Sequence, residues 1–169
     1  MHFHVRKELR DRGWKVIAGQ YPGGSDDLPS LNVVDPTLAI DRSPDPRRHS
    51  KNKLVPDLVA CCGGLVLLIE MKDAFDRRDE TKLLSLLAER RGDLVVALRA
   101  LESARPGSLC VAPDDATFVA AIGLPVDSPV AMRDDFAYFF VSENLTVEVI
   151  PPTIRAWPTE MDTGCFGSR

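Results

Sequence analysis

No apolar run in this sequence approaches the 18 residues that would mark a membrane-spanning helix. The opening stretch carries Arg6, Lys7 and Glu8 and no apolar segment, so it does not read as a signal peptide. No internal repeat and no low-complexity tract is present, which removes solenoids and disordered linkers from consideration. Cysteine is scarce: Cys61, Cys62, Cys110 and Cys165 show no CxxC spacing. The adjacent Cys61 and Cys62 point to opposite faces of a strand and cannot jointly clasp one ion. All four read as small buried residues of a reducing, cytoplasmic compartment. Excess positive charge is also missing. The formal net charge of −4 leaves no global basic surface, so any contact with nucleic acid has to be local. Histidine is rare, and His2 and His4 stand two apart on an expected helix, where they do not face each other; they read as incidental.

What is present is the composition of a folded protein, 44% hydrophobic and 27% charged over 169 residues. That is one domain long enough to bury a core, placed at residues 1–150, with an irregular basic insertion at 19–53 and a tail at 151–169. The organising stretch is 55–72, where two apolar runs, 58–62 and 65–69, flank Gly63-Gly64. Apolar runs around such a pair predict a β-hairpin with a two-residue turn. With the glycines as the loop, Cys62 faces Leu65, and counting back sets Asp57 opposite Glu70 and Val55 opposite Lys72.

Residues opposite each other in an antiparallel pair share a face, with Cβ atoms roughly 4.5–5.5 Å apart. Glu70 and Lys72 also share a face, and Met71 points to the other. Two carboxylates and a lysine therefore converge at the end of an otherwise apolar strand. Opposed like charges are destabilising, and charges beside a core are costly unless compensated. A divalent cation between Asp57 and Glu70 compensates them, and Mg²⁺ takes oxygen ligands of this kind together with water and substrate phosphate. A three-residue turn would instead shift the pairing and send the two acids to opposite faces.

Around this hairpin, residues 2–13 predict a helix ended by Gly13, and 14–18 a first strand. Residues 19–53 are broken by prolines and glycines, with short strands expected at 31–34 and 38–40. Residues 42–53 hold Arg42, Arg47, Arg48, Lys51, Lys53 and His49 against the single acid Asp45. This basic loop leads into Asp57, and Arg47, Arg48, Lys51 and Lys53 are its candidate phosphate contacts. Helices are expected at 80–91 and 93–103, a buried strand at 108–112, a helix from Pro113 to about residue 122, and a terminal hairpin at 136–142 and 145–150. The tail either wraps the body or pairs with a second subunit through Trp157. The order fits an α/β (α+β) sandwich with a mixed central sheet flanked by helices.

Pro56-Asp57 followed by Glu70-Met71-Lys72 on the next strand resembles the PD-(D/E)xK motif of the restriction-endonuclease-like nuclease superfamily. The early helix with Glu8, then Gly13-Trp14-Lys15-Val16, is similar to the opening of its Holliday-junction resolvase members. The resemblance implies a restriction-endonuclease-like fold and a metal-dependent DNA endonuclease that hydrolyses phosphodiester bonds with Mg²⁺ or its substitute Mn²⁺. It implies Asp57, Glu70 and the Met71 backbone carbonyl as metal ligands and Lys72 at the attacking water. Glu8 would complete the site and Lys82, on the following helix, would support it or meet DNA; Asp79 and Arg78 are the other choices there. By the same analogy the expected partners are DNA and a second copy of the chain in a homodimer. The alternative from another class is a non-catalytic nucleic-acid-binding or assembly protein that keeps the nuclease fold, and RNA as substrate is a third reading.

Overall fold

A computed structural model describes residues 1–19, 28–31, 33–34, 53–154 and 157–158, the side chains of Lys53 and Leu54 excepted. Among the described residues three helices and eight strands follow one another as α1 (His2–Asp11), β1 (Lys15–Gly19), β2 (Val33–Val34), β3 (Lys53–Leu54), β4 (Leu58–Cys62), β5 (Leu65–Met71), α2 (Arg77–Glu89), α3 (Arg91–Ala104), β6 (Thr117–Pro125), β7 (Phe136–Val141) and β8 (Val147–Ile150). Six strands form one mixed sheet in the order β1-β4-β5-β6-β7-β8, and β2 pairs with β3. The β5–β6 and β6–β7 pairs are parallel and the other pairs of the large sheet antiparallel. The class is therefore α/β. Among the described residues no helix is long and apolar enough to cross a membrane.

The hairpin forms in the register that its glycines dictate. Cys62 pairs with Leu65, and the ladder runs in step to Leu58 opposite Ile69. Gly63 has φ +55°, while Gly64 does not enter the left-handed region, the pattern of a type II′ turn, which needs glycine at its first central position. Helix α1 ends as Gly13 predicts. Gly13 has φ +78°, its N–H reaches the Arg10 carbonyl at 3.0 Å and the Trp14 N–H the Leu9 carbonyl at 2.8 Å. This double closure is a Schellman motif, and it turns the chain so that Trp14 enters the core.

The sheet is covered on both faces. Leu83, Leu86, Leu94 and Leu98 of α2 and α3 pack on Val59, Cys61, Val66 and Leu68. Val5 and Leu9 of α1 pack on the other side with Leu65, Leu67, Ile69 and Met71. A strand buried on both faces reads as a continuous apolar run rather than an alternation, and β5 is such a strand. Burying its five aliphatic side chains (residues 65–69) at about 1.5–3 kcal/mol each outweighs the several kcal/mol that one buried carboxylate costs. This is why Glu70 can sit at its end.

Two expectations are corrected by the structure. Residues 108–112 form no strand, and the expected helix beyond Pro113 is a turn at 113–115 followed by the long strand β6. The run Thr117-Phe118-Val119 is aromatic and β-branched, and as an inner parallel strand it carries no period. Gly123, just past the end of that expected helix, is a point of close approach: a Cβ there would clash with Met71 Sδ. At the other end of the described chain, Trp157 packs on Trp14 with ring centroids 5.3 Å apart and planes tilted by 46°, so this part of the tail wraps the body. The expected strand at 38–40 lies outside the described residues, as do Arg47, Arg48 and Lys51 of the basic loop.

Candidate functional site at the end of β5

The site begins where the hairpin ladder stops. Beyond Leu58 and Ile69 the register places Asp57 opposite Glu70, and here the Asp57 side chain replaces a backbone partner. Its Oδ2 accepts the Met71 N–H at 2.8 Å. One residue on, the Lys72 N–H donates to the Gly123 carbonyl of β6 at 2.9 Å. The C=O and N–H of one trans peptide group point in opposite directions, so the Met71 carbonyl turns to the β4 side, where Asp57 stands.

Glu70 is 1% exposed, the only charged residue fully buried among those described. Its face belongs to α2. Asp76 caps that helix by accepting the Arg78 N–H at 2.9 Å, which sets the phase of the first turns. Asp79 and Lys82, three apart, then continue the stripe of Leu83 and Leu86 toward the strand end. Lys82 Nζ lies 2.5 Å from Glu70 Oε1 and 3.3 Å from the Val55 carbonyl. Lys72 Nζ stands 3.6 Å from Glu70 Oε2 and 3.4 Å from Asp79 Oδ1. Three carboxylates thus meet two ammonium groups, and the cluster keeps a net negative bias when all are ionised.

Burial pushes the Glu70 carboxyl up to about 7; Lys82 opposes the shift and Asp57 adds to it. Burial acts to lower Lys72, but the carboxylates of Glu70, Asp79 and Asp57 outweigh it and hold the ammonium above its ordinary value. Asp79 is raised by burial against the pull of Lys72.

The structure therefore brings together Asp57, Glu70, the Met71 carbonyl, Lys72 and Lys82. Glu8, expected to complete the site, has its Oε1 accepting from Arg12 Nε at 2.7 Å, one turn along α1. The α1 residue that senses the site is His2. Burial lowers its pKa, Asp57 and Asp73 pull it up and Lys72 pushes it down. No spacing in the sequence could have shown this, because the place of α1 against the sheet is set by tertiary packing. Lys82, expected to support the site or to meet DNA, is ion-paired with Glu70. Lys53 belongs to β3, two residues before Val55.

Among the described residues no three His, Cys, Asp or Glu side chains gather into a metal cluster. The donors on offer are two carboxylates and a backbone carbonyl, all hard oxygens, which suits Mg²⁺ held partly by water and phosphate. No protein-family model matches the sequence, and no curated protein matches it.

Proposed function

We propose that this chain is a Mg²⁺-dependent DNA endonuclease of the restriction-endonuclease-like kind, hydrolysing phosphodiester bonds to leave 5′-phosphates. The observation that carries the reading is Glu70, a carboxylate buried at the end of an apolar strand with Asp57 in register beside it and Lys72 on its own face. Asp57, Glu70 and the Met71 carbonyl would hold the metal, which supplies a water activated at neutral pH and charge compensation for the phosphate. Lys72 does the rest of the electrostatic work. Fixed between Glu70 and Asp79, its ammonium is a preorganised donor for the charge that develops on the phosphoryl oxygens, at no reorganisation cost. The mixed sheet flanked by helices supports this reading, as does the basic sequence leading into Asp57.

A plasmid-nicking assay in Mg²⁺ tests it. Glu70→Gln and Lys72→Ala should each lower cleavage by about 100-fold or more with the circular dichroism spectrum unchanged, and undiminished cleavage in either variant overturns the assignment. The second reading, a binding or assembly protein without turnover, is favoured by one contact. Lys82 lies on Glu70 Oε1 at 2.5 Å, where a cation would sit. Calorimetry that finds no Mg²⁺ or Mn²⁺ binding, together with no cleavage of any DNA form, selects it.

A further inference from the structure

Away from this site, Cys61 and Cys110 meet without bonding. Cys61 Sγ is buried in β4, on the α2/α3 face of the sheet. Cys110 is partly exposed in the segment between α3 and β6. The two sulfurs are 2.6 Å apart and both thiols are free. Cys62 is disulfide-bonded, which corrects the expectation that all the cysteines are reduced. It faces the opposite side of β4, among the residues that pack on α1, and so cannot reach Cys110.

The segment that carries Cys110 is held in place. Glu102 Oε1 accepts the Gly107 N–H at 2.5 Å and Oε2 the Leu109 N–H at 2.9 Å. Lys15 Nζ donates to the Gly107 carbonyl, and Lys15 pairs with Cys61 across β1 and β4. A lysine thus stands over the two thiols, and the segment presenting the outer one is tied down from two directions. Thiols in structural cores need no such support. Reactive ones sit partly exposed in electropositive surroundings beside a resolving thiol.

We infer that Cys61 and Cys110 form a thiol–disulfide exchange site, with Cys110 as the attacking thiol and Cys61 as the resolving one, that takes low-molecular-weight disulfides as its oxidant. Cys110 thiolate attacks one sulfur of the oxidant R–S–S–R, forming a Cys110–S–S–R mixed disulfide and releasing R–S⁻. Cys61 gives its proton to a released thiolate and attacks the Cys110 sulfur, expelling the second R–S⁻. Two protein thiols become one disulfide, and one small disulfide becomes two thiols. The division of roles follows from exposure: an incoming disulfide reaches Cys110, and the fully buried Cys61 is reached only by Cys110. The contact between the sulfurs works the same way, lowering Cys110, with Lys15 assisting, and raising Cys61.

The test is treatment of the full chain with oxidised glutathione, then alkylation and peptide mass mapping. The wild type should acquire a Cys61–Cys110 link and release two glutathiones per link. Cys61→Ser should stop at one glutathione on Cys110, Cys110→Ser should leave Cys61 unmodified, and Cys62→Ser should form the link as the wild type does. Circular dichroism checks that the Cys61→Ser core survives; the partly exposed Cys110→Ser provides the second arm. Cys61 and Cys110 that both stay alkylatable in the wild type overturn the inference. So does a Cys61→Ser chain without an adduct on Cys110, or a link lost in Cys62→Ser.

Discussion

At Glu70 burial and ion pairing compete. Its burial favours the neutral acid, Lys82 and Lys72 favour the carboxylate, and burial wins by enough to bring the group up to about 7. The consequence for stability has a definite sign. The unfolded glutamate titrates near 4.5, so between about 4.5 and 7 the folded state holds more protons than the unfolded one. Stability of the metal-free protein is then greatest below that window and falls as pH rises through it, by about 3 kcal/mol at most. Urea unfolding with chelator at pH 5 and pH 7.5 measures the drop, and Glu70→Gln, which cannot ionise, should remove most of it. An equal drop in the variant would mean that another group titrates. Legibility also divides at this scale. Asp57, Glu70 and Lys72 follow from sequence because strand alternation and a counted register place them. The bond that Arg12 makes to the Glu8 carboxylate one turn away and the electrostatic influence of His2 come from helix packing that no local pattern encodes.

Among the elements, the β4–β5 hairpin sets Asp57, Glu70 and Lys72, and its turn sets the hairpin. Gly63 at φ +55° occupies a backbone region that costs an L side chain about 1–2 kcal/mol, whereas Gly64 is outside it and faces open space. Gly63→Ala should therefore lower the unfolding free energy by about 1 kcal/mol, with Gly64→Ala near neutral, as read from urea midpoints. Equal losses would show that the turn is not of the II′ kind. The hairpin was legible because a glycine pair between apolar runs admits few loops. β6 was not, because an unbroken apolar run buried on both sides has the same composition whether helical or extended. Its neighbour Pro113-Asp114-Asp115 has the chemistry of a helix start but is spent on a turn: Asp115 N–H closes on the Ala112 carbonyl at 3.0 Å. The α2/α3 crossover then makes β6 parallel to β5. That pairing is fixed by tertiary context, not by any residue between them.

For the whole molecule, charge decides how a polyanion is met. At a net charge of −4 the overall field opposes DNA, and the cluster around Glu70 is itself biased negative, so under the proposed nuclease reading any attraction has to come from a local set of cations. The sequence supplies them between residues 42 and 53, immediately before the strand that positions Asp57. If these residues contact phosphates, each releases condensed counterions, and log K falls with log salt by about 0.9 per contact. Replacing Arg47, Arg48 and Lys51 together by Ala should then flatten that slope by roughly 3, while weakening binding similarly on unrelated sequences, since phosphate contacts carry no base code. Fluorescence anisotropy on duplex DNA across a salt series reads both quantities, with Glu70→Gln as background so that no strand is cut. An unchanged slope would move the DNA contact elsewhere without touching the metal assignment. A slope lost only for one sequence would mean that the loop reads bases rather than backbone.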